Sequence, residues 1–385
     1  MNFREFKKSL KYKKYKIWKI IVRFIEYKFK NLTIDLVINL NKFKSKFDTR
    51  VVIDIGSFSD NSYINFLIYS LKDEFLFSYN RDKHTKKLFK RIGLINFFKH
   101  TISNLDVNKK SKIKINMKPV QKDKNDNEIL INTNYFKFLE NKKNIKNSNK
   151  LIMPYFMYPR IYNSYYKKIN IIKKPEFNLR VFFSGSIVAE GYSSFKWKKE
   201  PEKFPDRISI INKIIKEFKE DIFFIKSKKD LKTNNFFKKK IIFCLHDKMI
   251  KKTSYTLNFE NNFKLLSNSC FNLSCPGVVM PLCHHLIEGI KVGSIPITNC
   301  EKLLFPNLSK DISLQYSSLN QLIEKIYEAL KMDEDKIINM RSKVQEYYNS
   351  NLSPEVFKEN FKKIILQNGK QIICCDDHRS VENIN

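Results

Sequence analysis

Short apolar runs alternate along the chain with longer segments whose apolar residues recur every three or four positions. In the N-terminal half, Val51–Ile55 and Phe75–Tyr79 have the pattern of buried strands, while helical spacing covers Tyr63–Leu71 and continues after the second strand to about Phe98. The stretch Asp106–Lys150, rich in Lys, Asn and Asp, predicts peripheral strands and a mobile loop. Strands that alternate with helices favour a parallel sheet covered by helices.

The same alternation restarts in the C-terminal half, after a junction between about Pro159 and Pro175. The predicted strands here are Val181–Gly185, Phe223–Lys226, Ile241–Leu245, Phe271–Cys275 and Ser294–Thr298. The predicted helices are Asp206–Glu220, Asn261–Ser267 and Pro281–Val292. The pattern predicts an α/β fold with two Rossmann-like, doubly wound domains, whose ligands would bind in the cleft between them. The sequence predicts a basic amphipathic N-terminal segment at 1–45, an N-terminal Rossmann-like domain at 46–165, a C-terminal domain at 166–350, and a C-terminal helix and tail at 351–385.

Composition agrees with a globular protein of two domains, since 42% of the 385 residues are apolar and 33 Phe and 18 Tyr supply surface for burial. The formal charge of +34 raises the question of a polyanionic partner. However, Lys is scattered through every segment, and Lys, Asn, Ile and Phe are abundant together while Gly and Trp are scarce. A/T-rich coding produces the same bias, so we do not expect nucleic acid to be a partner.

The first 30 residues predict a basic helix with an apolar stripe formed by Trp18, Ile21, Val22, Ile25 and Phe29. Such a stripe can lie on an anionic membrane or pack on the protein's own core, and the flanking lysines favour the membrane. No apolar run approaches ~18 residues, and no cleavable signal is visible. We therefore expect a cytoplasmic protein, held peripherally on the inner membrane face if this helix binds there.

Seven cysteines are an odd number, and no CxxC pair or histidine at zinc-finger spacing accompanies them. The pattern indicates neither a disulfide framework nor a zinc site. Glycine is more informative because only eight are present, so each one that remains answers a backbone need. Five of the eight lie between the Val181 strand and Ile297: Gly185, Gly191, Gly277, Gly289 and Gly293. They mark the turn after the Val181 strand and the segment Cys275–Ile297.

In the second of these segments, a strand runs into Pro276 and Gly277, Pro281 stands where a helix would begin, and Gly293 closes that helix. The helix would therefore begin at the carboxyl end of a parallel strand. Its free N–H groups and the positive end of its dipole would make this N-terminus a binding site for a diphosphate. Any βαβ unit can need such glycines, so this pattern alone leaves a purely structural explanation open.

The segment CPGVVMPLCHHLIEGIKVGSIPI, Cys275–Ile297, resembles the donor-site motif of GT-B glycosyltransferases, most of all the exostosin-like ones. In that motif a turn and a basic helix start lead to an acidic residue, a glycine and an "IPV"-like strand. The earlier FFSG, which ends at Gly185, and the later Arg207 resemble the same family's "FFaG … R" element. The resemblance implies a GT-B fold whose 46–165 domain faces the acceptor and whose 166–350 domain binds a nucleotide sugar.

The resemblance also implies roles for single residues. Glu288 matches the acidic residue that holds the nucleotide ribose, and His285, with His284 beside it, takes the place of the basic residue near the phosphates. Arg207 matches the arginine at the diphosphate, while Gly185 and Gly277 match the turns of the donor site. Two departures stand out. Met280 replaces the first of two glutamates found in related retaining enzymes, and histidine in place of arginine would make the phosphate contact depend on pH.

Simpler explanations exist for some of these residues. Glu288 could form only a local helix pair with His284, and Arg207 could be a solvated residue at a helix start. The Cys-His-His run at 283–285 points three ways around a helix, so it does not offer three ligands to one metal. The acidic run at 333–335 is better explained by helix capping than by metal binding. We expect no metal and no cofactor beyond the nucleotide-sugar donor.

The catalytic base is the least defined part of the predicted site. Asp54 and Asp60 flank Gly56 after the first strand and are the best-placed carboxylates, although Asp60 could instead cap the following helix. The sequence as a whole predicts transfer of a sugar from a nucleotide-diphosphate donor to a hydroxyl of a glycan or lipid-linked acceptor. Two alternatives remain, a sugar-nucleotide epimerase on the same fold and a non-catalytic basic adaptor for membrane or nucleic acid.

Overall fold

The computed structural model describes residues 52–55, 63–72, 76–79, 101–103, 112–116, 128–141, 150–187, 197, 204–231, 239–246, 255–366, 371–376 and 380–381. The basic N-terminal segment, Gly56, Asp60 and Gly191 lie outside these residues, and so does the helix predicted to end near Phe98.

Thirteen strands and nine α-helices are formed by the described residues. The strands are β1 Val52–Ile55, β2 Leu76–Tyr79, β3 Thr101–Ser103, β4 Lys112–Asn116, β5 Glu128–Asn132, β6 Lys150–Ile152, β7 Val181–Ser186, β8 Ile222–Phe224, β9 Ile241–His246, β10 Phe271–Leu273, β11 Ile295–Thr298, β12 Leu314–Gln315 and β13 Gln371–Ile373. The helices are α1 Tyr63–Leu71, α2 Tyr135–Glu140, α3 Pro159–Ser164, α4 Arg207–Glu217, α5 Phe259–Asn268, α6 His284–Lys291, α7 Leu319–Lys331, α8 Glu334–Tyr347 and α9 Pro354–Leu366.

The chain divides into two compact units. The smaller unit contains β1, β2 and β3, which pair in parallel with β2 in the middle. The apolar run VIDI of β1 lies in register with LFSY of β2, so two of the strands predicted for this half are present and parallel.

The larger unit contains a six-stranded parallel sheet in the order β12-β11-β10-β7-β9-β8. The chain builds one side of this sheet from β7 towards β8 and β9, and then crosses back to build the other side from β10 onwards. The boundary between β7 and β10 is therefore a topological switch point, where ligands of doubly wound folds bind at the carboxyl ends of the strands. Its strands are buried because helices cover both faces, which agrees with apolar runs such as Val181–Phe183.

A second group of strands in the larger unit is formed by β5, β13 and β6, which are also parallel. The C-terminal residues return to this group, where the backbone N–H of Cys374 donates to Asn132 O at 2.9 Å. Helices α1, α3 and α9 pack together in the same unit, with the Phe66 ring 5.4 Å from the Tyr162 ring and 5.4 Å from the Phe357 ring. All nine residues of α1 are buried, which accounts for its nearly continuous apolar sequence.

The predicted α/β class is confirmed, with parallel Rossmann-like strand arrangements in two parts of the chain, as in proteins of the GT-B type. Helix α1 has the predicted bounds. Strands β4 and β5 form in the polar stretch Asp106–Lys150, but the expectation of peripheral strands there is wrong for β5, which lies between β4 and β13. The acidic run at 333–335 begins α8, with Asp333 as its N-cap residue, although the Asp333 side chain makes no capping hydrogen bond. The domain boundaries predicted from the sequence stay a prediction.

Two further features of the described residues bear on the sequence analysis. The seven cysteines all lie within them, and all are buried thiols. Across this described part of the chain, no helix combines the length and the apolar character needed to cross a bilayer.

Candidate functional site

A cavity of about 420 Å³ opens in the larger unit at the carboxyl ends of β7 and β9 and beside the segment that follows β10. It therefore lies at the switch point of the six-stranded sheet. Its volume falls in the range of small-molecule sites. All six predicted donor-site residues line it: Gly185, Arg207, Gly277, His284, His285 and Glu288. The fold thus brings together residues that are separated by up to about 100 positions in the sequence.

Arg207 is the first residue of α4, and its side chain is buried beneath the cavity with 6% of its surface exposed. Its Nε and one terminal nitrogen donate to Pro276 O at 3.1 and 2.7 Å, and the other terminal nitrogen donates to Ser186 O at 3.0 Å. The guanidinium therefore ties the end of β7 to the segment after β10. The alternative of a solvated helix-start residue is wrong, because burial and these hydrogen bonds fix the side chain inside the unit.

Gly185 lies against the Phe183 ring and beside this guanidinium. A Cβ atom at residue 185 would lie 3.1 Å from a terminal nitrogen of Arg207 and 2.7 Å from the Phe183 ring. The glycine in the FFSG element therefore leaves room first for the Phe183 ring and then for the buried guanidinium. This is a packing reason for a glycine that the sequence marked only as a turn.

The segment between β10 and α6 is longer than predicted, because α6 begins at His284 and not at Pro281. The backbone N–H of Gly277 donates to Met280 O at 2.9 Å, which closes a turn, and Cys283 is extended with φ −137° and ψ 153° as the N-cap residue. Pro281 lies within this segment, where its carbonyl accepts from the Cys300 thiol at 3.3 Å. Proline is equally suited to such a loop, and for this reason its fixed φ did not locate the helix start.

His284 stands at the first turn of α6 and is held by the segment that precedes α3. Its Nδ1 lies 2.9 Å from Phe156 O, and its ring is parallel to that of Tyr155, with centroids 5.5 Å apart. A carbonyl oxygen only accepts hydrogen bonds, so Nδ1 carries the hydrogen and Nε2 is the remaining polar atom of the ring. His284 is half-buried and lines the cavity, so the ring enters the site in a fixed orientation.

His285 differs sharply from its neighbour. It is buried between Phe182 and Phe183, and its Nε2 has no hydrogen-bond partner among the described residues. Burial, and then the positive charge of Arg207, lower the pKa of His285 to about 3. The ring is therefore neutral at physiological pH, which differs from the expectation of a pH-dependent phosphate contact. Of the two histidines, His284 is the accessible one.

Glu288 lies one turn further along α6, with 7% of its surface exposed. Its Oε1 accepts from the backbone N–H of Tyr158 and its Oε2 from Asn262 Nδ2, both at 3.3 Å. Burial raises the pKa of the carboxyl, while the charge of His284 and these two hydrogen bonds act in the opposite direction. Hydrogen-bond donors from two other elements of the unit therefore hold the carboxylate in place.

Several cavity residues were not identified from the sequence. Asn262 on α5 orients Glu288, and the rings of Tyr158 and Phe259, 6.3 Å apart, stand at the same part of the cavity. Tyr158 is 41% exposed although the residues before it are buried. No sequence pattern singles these residues out, since they come from separate elements and only the packing of α3, α5 and α6 joins them.

The proposed catalytic bases remain a prediction. Asp54 is a residue of β1, and Asp60 lies outside the described residues. Among the described residues that line the cavity, Glu288 is the single carboxylate. Within the same described residues, no group of three His, Cys, Asp or Glu side chains is arranged to hold a metal ion.

Comparison with known proteins gives little further information. No protein-family profile matches the chain, and no curated protein matches its sequence. Among solved structures, it is similar to the N-terminal domain of trehalose-6-phosphate phosphatase of Candida albicans, with 10% identity, a TM-score of 0.40, and 84% of this chain and 98% of that one covered. It is also similar to an S. aureus TarM mutant solved with fondaparinux, alpha-GlcNAc-glycerol and UDP. That likeness has 14% identity and a TM-score of 0.34, and covers 78% of this chain and 57% of TarM. Both scores are too low to assign a function.

Proposed function

We propose that this protein is a glycosyltransferase that binds a nucleotide-diphosphate sugar in the cavity at the switch point and transfers the sugar to a hydroxyl of a glycan or lipid-linked acceptor. The observation that carries the proposal is the meeting, in one cavity, of Arg207, the N-terminus of α6 with His284, and the Glu288 carboxylate. The first two suit an anion, and the third suits hydroxyl donors. A nucleoside diphosphate presents both chemistries side by side.

The diphosphate is assigned to the start of α6. The first backbone N–H groups of a helix have no partner within it, and the helix dipole places partial positive charge there. His284 adds a ring nitrogen on the cavity side, and the Arg207 guanidinium adds a permanent charge below. The buried arginine at the same end of the sheet adds a second source of positive charge beside the helix N-terminus.

The ribose is assigned to Glu288. Each carboxylate oxygen has two lone pairs, and each here accepts one described hydrogen bond from the protein. One acceptor position on each oxygen is thereby left for a ligand, which matches the two hydroxyls of a ribose. Along α6, Glu288 lies four residues beyond His284, or about 6 Å at the rise of an α-helix. This spacing is suited to a ribose and its attached phosphates.

His285 has a supporting role in this arrangement. Its ring packs against Phe183 and lies near Arg207. Because the ring is neutral, it does not add a second positive charge to the site. An anion in the cavity would favour protonation of this ring, because an opposite charge stabilises the charged form.

In the transfer step, the bond between the anomeric carbon and the diphosphate oxygen breaks, and the electron pair leaves with the diphosphate. Negative charge on that oxygen grows during the step, so donors already in place at the α6 N-terminus and Arg207 oppose it most strongly at the transition state. The acceptor hydroxyl forms the new bond and gives its proton to a base. Asp54 and Asp60 are our candidates for that base.

The proposal extends to location. The basic helix of the first 30 residues would hold the enzyme on an anionic membrane, where a lipid-linked acceptor resides. Sedimentation with acidic liposomes measures this, and equal pelleting of the full chain and of a variant with Trp18, Ile21 and Ile25 changed to Ser would contradict the membrane role.

The deciding experiment is a thermal-shift screen of the full chain against nucleoside diphosphates and nucleotide sugars, followed by calorimetry on any ligand found. A ligand at about 100 times its dissociation constant stabilises by ~2.7 kcal/mol, which is easily measured. Turnover in the presence of an acceptor would support transfer. Interconversion of the donor without an acceptor would indicate an epimerase, and binding to nucleic acid without any nucleotide binding would indicate an adaptor.

A further inference from the structure

Residues 275–283, in the segment that joins β10 to α6, form one wall of the cavity and have no side chain with a hydrogen-bonding oxygen or nitrogen atom. They read CPGVVMPLC. Six of them line the cavity: Gly277, Val278, Val279, Met280, Leu282 and Cys283. The polar side chains of the cavity lie elsewhere, for example on Ser184 and Ser186 of β7 and on Asn262 of α5. The cavity therefore has one apolar wall, and its polar side chains lie on the other sides.

This apolar wall is held in place at several points. Arg207 donates twice to Pro276 O, and the turn from Gly277 to Met280 is closed by a backbone hydrogen bond of 2.9 Å. The Met280 side chain is 1% exposed, with its sulfur 3.7 Å from the Cys375 sulfur. Val278, at the tip of the turn, is by contrast 38% exposed. A fixed turn thus presents an uncovered apolar side chain to the cavity.

The order of groups along α6 indicates what covers this wall. In the proposed function, on which this inference rests, the ribose is held at Glu288 and the diphosphate at the helix start near His284. The next group of a nucleotide sugar is the sugar itself, and continuing in the same direction leads to residues 277–283, which directly precede the helix. A sugar that continues in this direction would pack against this wall.

We infer that the donor carries a deoxy sugar, with a methyl or methylene group on the edge that faces Val278. A hydroxyl pressed against this wall would lose its water and find no side-chain partner, which is unfavourable. An apolar group there covers Val278 instead. Hydroxyls on the opposite edge of the sugar would face the serines of β7.

The test compares donors that differ by one hydroxyl. The nucleoside diphosphate selected by the wild-type chain is prepared joined to glucose and to 3-, 4- and 6-deoxyglucose, and each donor is titrated calorimetrically. At least one deoxy donor should bind about tenfold more tightly than the glucose donor. The inference is overturned if glucose binds as tightly as every deoxy donor. Because binding of the nucleoside diphosphate alone is measured in the same series, failure of the proposed function gives a different result, namely no binding of any of them.

A substitution at the turn sharpens the test. Val278→Asn places a hydrogen-bonding group on the wall and should reduce the preference for the deoxy donor to about one, whereas Val278→Ala should preserve the preference. Val278 is exposed, so neither variant is expected to disturb folding, and melting curves check this. An unchanged preference in Val278→Asn, in a protein that melts normally, would show that the sugar does not contact this wall.

Discussion

Two buried arginines occupy opposite ends of the same six-stranded sheet. Arg207 lies at the carboxyl ends of the strands, and Arg341 lies at the other end with 2% of its surface exposed. Both donate to backbone carbonyls: Arg207 to Pro276 and Ser186, and Arg341 to Ser267, Ser269, Ile172 and Val292. The same chemistry therefore appears at both ends, but only Arg207 lines the cavity.

The surroundings of the two side chains explain the difference. Ser267 lies near the C-terminus of α5, and Val292 is the C-cap residue of α6, so Arg341 meets the partially negative ends of two helices. The charge of Arg341 is therefore stabilised by groups of the protein itself. Arg207 instead begins α4 and lies near the start of α6, where helix dipoles oppose a cation. A buried cation at the unfavourable ends of helices is a group that the proposed anionic ligand would stabilise.

The largest effect is expected for Arg341→Ala. Removing the side chain leaves several buried carbonyl oxygens without their donors, so we expect a loss of about 3–5 kcal/mol in the free energy of unfolding. Urea denaturation measures it. Arg341→Lys, which keeps the charge but not the fork of donors, should recover part of the loss. A loss of less than about 1 kcal/mol in Arg341→Ala would contradict a stabilising role for its hydrogen bonds to these carbonyls.

Arg207→Ala should have a smaller effect on stability and a separate effect on binding. The three described hydrogen bonds are lost, which should cost about 2–3 kcal/mol, in contrast to the unchanged or improved stability expected of a solvated helix-start residue. Affinity for a nucleoside diphosphate should fall roughly 10- to 100-fold, because charge-assisted hydrogen bonds are involved. Calorimetry at a temperature where both proteins are folded separates the two effects. Equal affinity in the mutant would leave Arg207 with only its structural role.

The pH dependence of stability tests the burial of His285. Its folded pKa of about 3 lies below the ordinary value of 6.5, so the unfolded chain binds more protons between these values. Stability contributed by the neutral ring is therefore fully present above about pH 6.5 and is lost as the pH falls towards 3, at up to about 1.4 kcal/mol per pH unit. His285→Phe should flatten this slope. The same slope in wild type and mutant would show that another group is responsible.

Glu288→Gln should have the smallest effect on the fold and a clear effect on binding. Gln can accept from Tyr158 N, and the Asn262 amide can turn its Oδ1, which has no partner among the described residues, towards the new amide. Stability should change by less than about 0.5 kcal/mol. Affinity for the nucleoside diphosphate should fall about tenfold, since hydroxyl donors lose a charged acceptor. Unchanged affinity in a calorimetric titration would return Glu288 to a purely structural role.

Much of the architecture was accessible from the sequence. Apolar runs and helical spacing gave the alternation of strands and helices, because the burial that selects these residues is a local property of each element. The bounds of α1 and the positions of β7, β9 and β11 follow from it closely. The scarcity of glycine pointed to Gly185 and Gly277, both of which line the cavity.

The tertiary structure decided which of the candidate residues can act. The sequence could not rank His284 against His285, since adjacent residues of one helix point in different directions and only packing shows that Phe182 and Phe183 bury one of them. It could not show that Arg207 is buried, that Asn262 and Tyr158 hold Glu288, or that α6 begins three residues after Pro281. Each of these depends on contacts between segments far apart in the chain. Residue type and spacing specify the elements, whereas the neighbours that set the burial, hydrogen bonding and charge of a side chain are fixed only when the elements pack.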